Sequence, residues 1–390
     1  MSRTICFFSG SRSEYNLLKN LYLKFKVLKK FNTKLIISGS HLSNKFGKTI
    51  SLIKKDKIYP NYQIKINESF NSETDITNSI SKLLNKSQKI LKKINPEVVF
   101  LLGDRYETFT IALACLILKI PIAHIHGGEV TMGSFDDNLR HSITKLSHLH
   151  FVANKNFKKR VIQLGENPKN VFNVGGLGVD NIHKTKLINK KIIIKKFNLK
   201  KFFFLITFHP STLEKNNSLI EFKNLLKVLS KYKDYSLIFT YPSSDLGNKE
   251  FILLINKFKK KNNNTIISKS LGNVNYLSII KYADLLIGNS SSGIAEAPSF
   301  KTPTINVGDR QKGRIFAKSV IHTNGEMSNI EKSIKKGLSQ KFIRSIKKVN
   351  NPYGQGGATD KIFKVINSVK IDKKIVKKHF YDLNIKIFKK

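Results

Sequence analysis

The sequence predicts an α/β protein built as two doubly wound halves, and three observations carry that prediction. Short apolar runs alternate with amphipathic helical stretches along most of the 390 residues. Repeated strand–helix units of this kind imply parallel sheets. The alternation runs twice, once up to the cluster Gly175-Gly176-Leu177-Gly178 and again from about residue 202. Glycines, acids, histidines and arginines gather where strands give way to helices, the edge at which open α/β sheets bind ligands.

In the first half, residues 4–9 read as a strand, followed by Gly10-Ser11-Arg12-Ser13-Glu14 and an amphipathic helix to about residue 30. Residues 34–38 form the next strand, a long loop carries His41 and Gly47, and 62–66 is a weak strand. Ile76, Ile80, Leu83, Leu84, Ile90 and Leu91 share one side of a helix over 73–94. A strand over 96–102, a buried helix over 106–118, a strand over 121–126 and a helix over 136–146 follow, then strands over 150–153 and 171–174. In the second half a lysine-rich connector with the first helices reaches residue 201. Strands are expected over 202–207, 236–240, 265–267, 285–287 and 303–307, with helices over 219–229, 251–258 and 276–282. The expected domains are residues 1–177 and 178–358, two Rossmann-like halves with an interdomain cleft. Residues 359–390, a helix and a basic tail, are expected to pack back on the first.

Apolar residues make up 40% of the chain, enough for real cores. No run approaches the roughly 20 apolar residues that cross a bilayer. The N-terminus lacks a signal peptide's long apolar stretch, so no membrane partner and a cytoplasmic location are expected. Cys6 and Cys115 lie in apolar runs and read as reduced core thiols. The formal charge of +44 raises the possibility of a nucleic-acid or anionic-surface binder. Its distribution argues otherwise. Of 70 basic residues 8 are arginine, and Arg12, Arg105, Arg140, Arg310 and Arg314 fall in glycine-rich or acidic motifs. Lysine is spread through nearly every helix, a charge excess without readout chemistry. No nucleic-acid partner is expected, and the field can steer an anionic substrate.

Five stretches carry chemistry. Gly10–Glu14 opens a helix after the first strand, where free backbone N–H groups and the helix dipole suit a phosphate and Arg12 adds a charge. Asp104, Glu129 and Asp136, with Asp137 beside it, end or begin elements on one sheet edge. Converging carboxylates raise one another's pKa, which suits general acids and bases. A divalent metal on Asp104, His124, His126 and Asp136 is the rival, though no ligand motif has this spacing. His124 and His141 read equally well as hydrogen-bonded core histidines, and Glu107 as a helix-start residue near Arg105. Phe208-His209-Pro210-Ser211-Thr212 puts His209 at a strand end. Gly288-Asn289-Ser290-Ser291-Ser292-Gly293 offers N–H groups and hydroxyls to an anion, with Glu296 suited to a ribose. Gly308-Asp309-Arg310-Gln311-Lys312-Gly313-Arg314 supplies two phosphate-capable cations.

Gly-Asp-Arg-Tyr-Glu (103–107), His-Ile-His-Gly-Gly-Glu (124–129), Asp-Asp-Asn-Leu-Arg-His-Ser-Ile-Thr-Lys-Leu-Ser-His (136–148), Thr-Phe-His-Pro (207–210), Gly-Asn-Ser-Ser-Ser-Gly (288–293) and Gly-Asp-Arg-Gln-Lys-Gly-Arg (308–314), in this order, resemble the UDP-N-acetylglucosamine 2-epimerase family. The match is closest to its hydrolysing branch and covers about residues 1–370. The resemblance implies the glycosyltransferase-B architecture and conversion of UDP-N-acetylglucosamine and water to N-acetylmannosamine and UDP, for sialic acid synthesis. A sister group acts on UDP-diacetamido-trideoxy sugars for legionaminic acid. It implies Asp104, Glu129 and Asp136 as the acid/base carboxylates, His209 as a catalytic histidine near the departing phosphate, and Arg12, Ser290, Ser291, Glu296 and Arg310 as UDP contacts. Arg105 and Arg140 orient the carboxylates or contact the sugar, and His126 joins the substrate-binding set. No metal or nicotinamide cofactor is implied, and a homodimer or homotetramer is. The first turn departs from the family's usual Thr followed by Ala or Pro while keeping Arg12, and Asp136 and Asp137 stand as neighbouring choices. The rivals are a UDP-sugar glycosyltransferase on the same fold and a basic non-enzymatic binder.

Overall fold

Seven parallel strands form the first sheet: β1 (Arg3–Ser9), β2 (Phe31–Ser38), β3 (Tyr62–Ile64), β4 (Val98–Leu102), β5 (Ile122–Ile125), β6 (Leu149–Val152) and β7 (Val171–Asn173). They lie in the order β3-β2-β1-β4-β5-β6-β7. A second parallel sheet holds β8 (Phe203–Thr207), β9 (Ser236–Thr240), β10 (Thr265–Ser268), β11 (Leu285–Gly288), β12 (Thr304–Val307) and β13 (Val320–Thr323), in the order β10-β9-β8-β11-β12-β13. Strand order reverses beside β1 in one sheet and beside β8 in the other, the switch points at which such sheets open a ligand crevice. The computed structural model describes residues 2–44, 48–66, 72–131, 135–211, 215–242, 247–371 and 373–383. Gly47, Thr212 and the end of the basic tail, 384–390, lie outside the described residues.

Each sheet is buried on both faces, as parallel sheets require. In β1, Ile5 and Phe7 join one core while Cys6 and Phe8 join the other. In β8, Phe204 and Ile206 face one core and Phe203 and Leu205 the opposite one. This is the two-residue period of a strand read on both sides. Cys6 and Cys115 are free and buried, and burial pushes the Cys6 thiol up to about 12.

The chain divides into two compact units: Met1–Glu129 with Asp136–Leu177 and Gly357–Lys390, and Val130–Phe135 with Gly178–Gly356. In the first unit the helix Ala358–Ser368 places Ala358, Ile362 and Ile366 in the core beside β1, and Arg3 Nη1 donates to the Ile366 carbonyl at 2.8 Å. The tail after it is pinned to the same unit. Lys378 Nζ bonds both oxygens of buried Glu166, at 2.9 and 2.8 Å, and the Ser147 carbonyl at 2.8 Å. Four elements among those that differ from the sequence reading stand out. The first helix ends at Lys26 rather than about residue 30. Helices also form at Lys155–Gln163 and Met327–Leu338, and β13 adds a strand at the end of the second sheet.

Candidate active site

In the first unit, β4 and β5 deliver their C-terminal loops side by side, and the helix Asp136–Leu146 follows. Arg140, 1% exposed, organises that helix start. Its Nη2 pairs with Asp104 Oδ2, and its Nη1 pairs with Asp137 Oδ1 at 2.8 Å and donates to the Glu129 carbonyl at 3.1 Å. One guanidinium thus ties three of the site's stretches together, the use to which a planar five-donor fork is suited. Asp136 opens the same helix and is half-buried.

Glu129 is 4% exposed and accepts from His126 Nδ1 at 2.7 Å. The Leu177 amide donates to the other ring nitrogen, Nε2, at 3.3 Å. That bond needs a lone pair on Nε2, so the proton sits on Nδ1 and points at Glu129. His126 holds this pose with φ +67°, a left-handed conformation seldom adopted outside glycine. Behind it, His124 Nε2 lies 2.8 Å from the Gly103 carbonyl and Nδ1 3.2 Å from Thr144 Oγ1. A carbonyl only accepts, so Nε2 carries the proton and Nδ1 faces the Thr144 hydroxyl, which donates to the Arg140 carbonyl at 3.0 Å. Burial pushes the His124 pKa down to about 3. Both rings the sequence offers to a metal therefore meet protein polar groups at both nitrogens, and no metal-holding group of three or more His, Cys, Asp or Glu occurs among the described residues.

The loop after β1 corrects one expectation. The Gly10 and Ser11 N–H groups donate to Glu14 Oε2 at 2.6 and 3.2 Å, and the Glu14 amide donates back to Ser11 Oγ at 3.4 Å. This capping box spends on a side chain two of the amides expected to suit a phosphate. Burial, with Glu107 nearby, raises the Glu14 carboxyl to about 7. Arg12 begins the helix Arg12–Lys26, and Arg105 Nε donates to Glu107 Oε2 at 3.1 Å.

In the second unit, buried Asn289 is the hub, and the sequence reading assigns it no role. Its Oδ1 accepts the His209 amide at 2.7 Å and its Nδ2 donates to the His209 carbonyl at 2.8 Å. Its own carbonyl accepts from Arg310 Nη1 at 3.2 Å and Gln311 Nε2 at 2.8 Å. The loop ends of β8, β11 and β12 are thereby fixed to one another, bringing His209 and Arg310 to the same residue. Gly288 permits this approach: a Cβ there would fall 2.0 Å from the Thr207 carbonyl oxygen. Ser290 and Ser291 precede the short helix Ser292–Ala295, and Glu296 caps its end. Tyr276 also reaches this loop unannounced by the sequence, its hydroxyl 2.5 Å from Ser292 Oγ.

Residues 24–367 match the model of the family described as UDP-N-acetylglucosamine 2-epimerase. The chain belongs to that family. It is 40% identical to the GDP/UDP-N,N'-diacetylbacillosamine 2-epimerase (hydrolyzing) of Campylobacter jejuni, over 98% of this chain and 99% of that one. It is 37% identical to polysialic acid biosynthesis protein P7 of Escherichia coli, over 98% of each. The family's hydrolysing branch is the one matched, and the chain is a hydrolysing UDP-sugar 2-epimerase. In fold it is similar to the UDP-GlcNAc 2-epimerase of Neisseria meningitidis, with a TM-score of 0.81 at 19% identity over 94% of this chain and 100% of that one. A 2-epimerase structure from Listeria monocytogenes gives 0.80 at 17% identity, over 94% and 96%. The fold of this epimerase is accordingly the glycosyltransferase-B type, with two Rossmann-like domains.

Proposed function

We propose that this epimerase eliminates UDP from a UDP-linked 2-acetamido sugar and hydrates the resulting glycal, releasing the free 2-epimer. A ring carbon with no adjacent carbonyl is hard to deprotonate, so the reaction is split. A base takes the C2 proton, the C1–O bond to UDP breaks, and a 2-acetamidoglycal remains. Water then adds its oxygen to C1 while C2 receives a proton on the opposite face. The reading is carried by buried Arg140, which gathers Asp104, Asp137 and the Glu129 backbone. Asp104, Glu129 and Asp136 serve as acids and bases, with Asp136 preferred over its neighbour Asp137 because it is the first residue of the Asp-x-x-x-Arg-His pattern over 136–141. His126 orients Glu129, and Arg105 and Arg140 orient the carboxylates or meet the sugar. His209 stands by the departing diphosphate. Arg12, Ser290, Ser291 and Arg310 hold the UDP phosphates, and Glu296 takes the ribose hydroxyls.

Two relatives favour N,N'-diacetylbacillosamine as the sugar, since both carry that name, at 40% and 29% identity. N-acetylglucosamine, giving N-acetylmannosamine, is the second reading. Similarity to the polysialic acid protein at 37%, and to a UDP-N-acetylglucosamine 2-epimerase of Neisseria meningitidis at 28%, favours it. A homodimer or homotetramer, the family's habit, goes with either. Incubation with each UDP-sugar alone in D2O tests the mechanism. Release of UDP and of the 2-epimer, with deuterium at C2, is expected for one of the two sugars. A product that keeps its protium at C2, or turnover only with an added acceptor, overturns it.

A further inference from the structure

Five hydroxyl groups in the second unit lie in one unbroken file. Thr240 Oγ1 is 2.8 Å from Thr207 Oγ1, which is 3.5 Å from the Tyr276 hydroxyl. Tyr276 in turn lies 2.5 Å from Ser292 Oγ, and Ser292 Oγ donates to Ser290 Oγ at 3.1 Å. The file starts on β9, crosses the end of β8, passes through the helix Asn273–Tyr282 and finishes in the loop after β11. Thr240, Thr207 and Ser292 are buried, and burial raises the Tyr276 phenol above its ordinary value.

Each hydroxyl has one hydrogen to give. Ser290 Oγ accepts from the Ser292 hydroxyl and, at 3.4 Å, from the Ser292 amide. Ser292 has then spent its hydrogen, so Tyr276 must donate to Ser292. Tyr276 accordingly accepts from Thr207, and Thr207 from Thr240. Fixing the last bond fixes the direction of every bond before it. Ser290, which accepts twice, keeps its own hydrogen to donate outward.

We propose that this file is a one-way donor relay whose terminal hydroxyl, Ser290, is polarised toward the departing diphosphate, and that Tyr276 is its central positioning residue. The proposal rests on the reading of Ser290 as a diphosphate contact. Hydrogen bonds in series strengthen one another, so the donor at the end is stronger than an isolated serine. It also reaches the phosphate already oriented, with no rotor left to search.

The test compares UDP and uridine as inhibitors of the full-length enzyme, for the wild type and for Tyr276→Phe, Ser292→Ala, the double variant and Ser290→Ala. Tyr276→Phe removes one oxygen and keeps the ring. It is expected to weaken UDP about three- to tenfold, a fraction of what a whole hydrogen bond to a charged acceptor is worth, because the Ser290 bond is weakened and not removed. Uridine, which has no diphosphate, is expected to bind unchanged. Tyr276→Phe/Ser292→Ala is expected to lose no more than the larger single loss, because both break one relay. Equal weakening of UDP and uridine, losses that multiply in the double variant, or wild-type UDP binding by both Tyr276→Phe and Ser292→Ala overturn the relay. If Ser290→Ala weakens UDP in that last case, the diphosphate reading stands without it. A Ser290→Ala variant that binds UDP normally overturns that reading and the relay together.

Discussion

Arg140 shows what a single residue does here that its neighbours in sequence do not announce. As a cation in an acidic stretch it is legible, and so is the carboxylate set around it. Its near-complete burial is not, because that comes from the packing of three loops distant in sequence. Arg140→Met leaves Asp104 and Asp137 without their shared cation. It is expected to cost about 3 kcal/mol of stability in urea unfolding and to cut kcat at least a hundredfold. Arg140→Lys is expected to recover stability better than rate, since an ammonium restores charge but not the fork. Asn289 was illegible for a related reason: its work is to hold the backbone of His209, 80 positions away, and no spacing rule links the two. The histidines set a pH dependence. Burial pushes His41 down to about 4 and His124 to about 3, below the ordinary 6.5. Depressed bases contribute stability fully above pH 6.5 and lose it as pH falls through those values. Glu14, raised to about 7, works the other way, favouring the fold at low pH and losing that contribution between its ordinary 4.5 and 7. The urea midpoint of the wild type relative to His124→Gln is therefore expected to shrink between pH 6.5 and 4. A constant difference across that range would count against a neutral, buried imidazole.

At the scale of elements, strands that are apolar on both faces were readable from their runs, and the helices between them from their periodicity. β13 was not: it is short, and three of its four residues are partly or fully exposed. The helix Lys155–Gln163 hides behind its lysines and arginine, with Phe157 and Val161 as its buried face. The tail shows the same limit. In sequence it is a basic ending expected to pack back on the first half, with no residue singled out for the contact; in the structure Lys378 completes the shell of Glu166, which also accepts from Lys145 at 2.6 Å and His150 at 3.0 Å. Burial pushes the Glu166 carboxyl up, but these donors outweigh it and hold it at about 2. Lys378 also grips the end of the helix that begins with Asp136, through Ser147. Lys378→Met is expected to cost about 1–3 kcal/mol by urea unfolding. The loss shows above pH 4.5, where Glu166 is charged in both states, and fades toward pH 2. An unchanged midpoint at pH 7 would mean that the tail contact contributes nothing.

At the scale of the molecule, two successive parallel α/β halves and their family came through the sequence because glycines and charges mark the strand ends. The charge of +44 adds a consequence for rate. A UDP-sugar is an anion, and a field of one sign raises its encounter rate. Between about 20 and 300 mM salt, kcat/KM is expected to fall several-fold with kcat nearly constant. A salt-independent kcat/KM would show that the lysines are mere solvation. The chain's route has an effect of another kind, on the order of events during synthesis. The second unit is almost entirely one continuous stretch, Gly178–Gly356, whereas the first waits for Ala358, Ile362 and Ile366 to close its core. A ribosome makes the beginning of the first unit before the second unit and its keystone after it. The later-made unit is thus the one that can finish folding first, and the loops that hold Asp104 and Glu129 settle only once residues 358–366 have emerged to close their core.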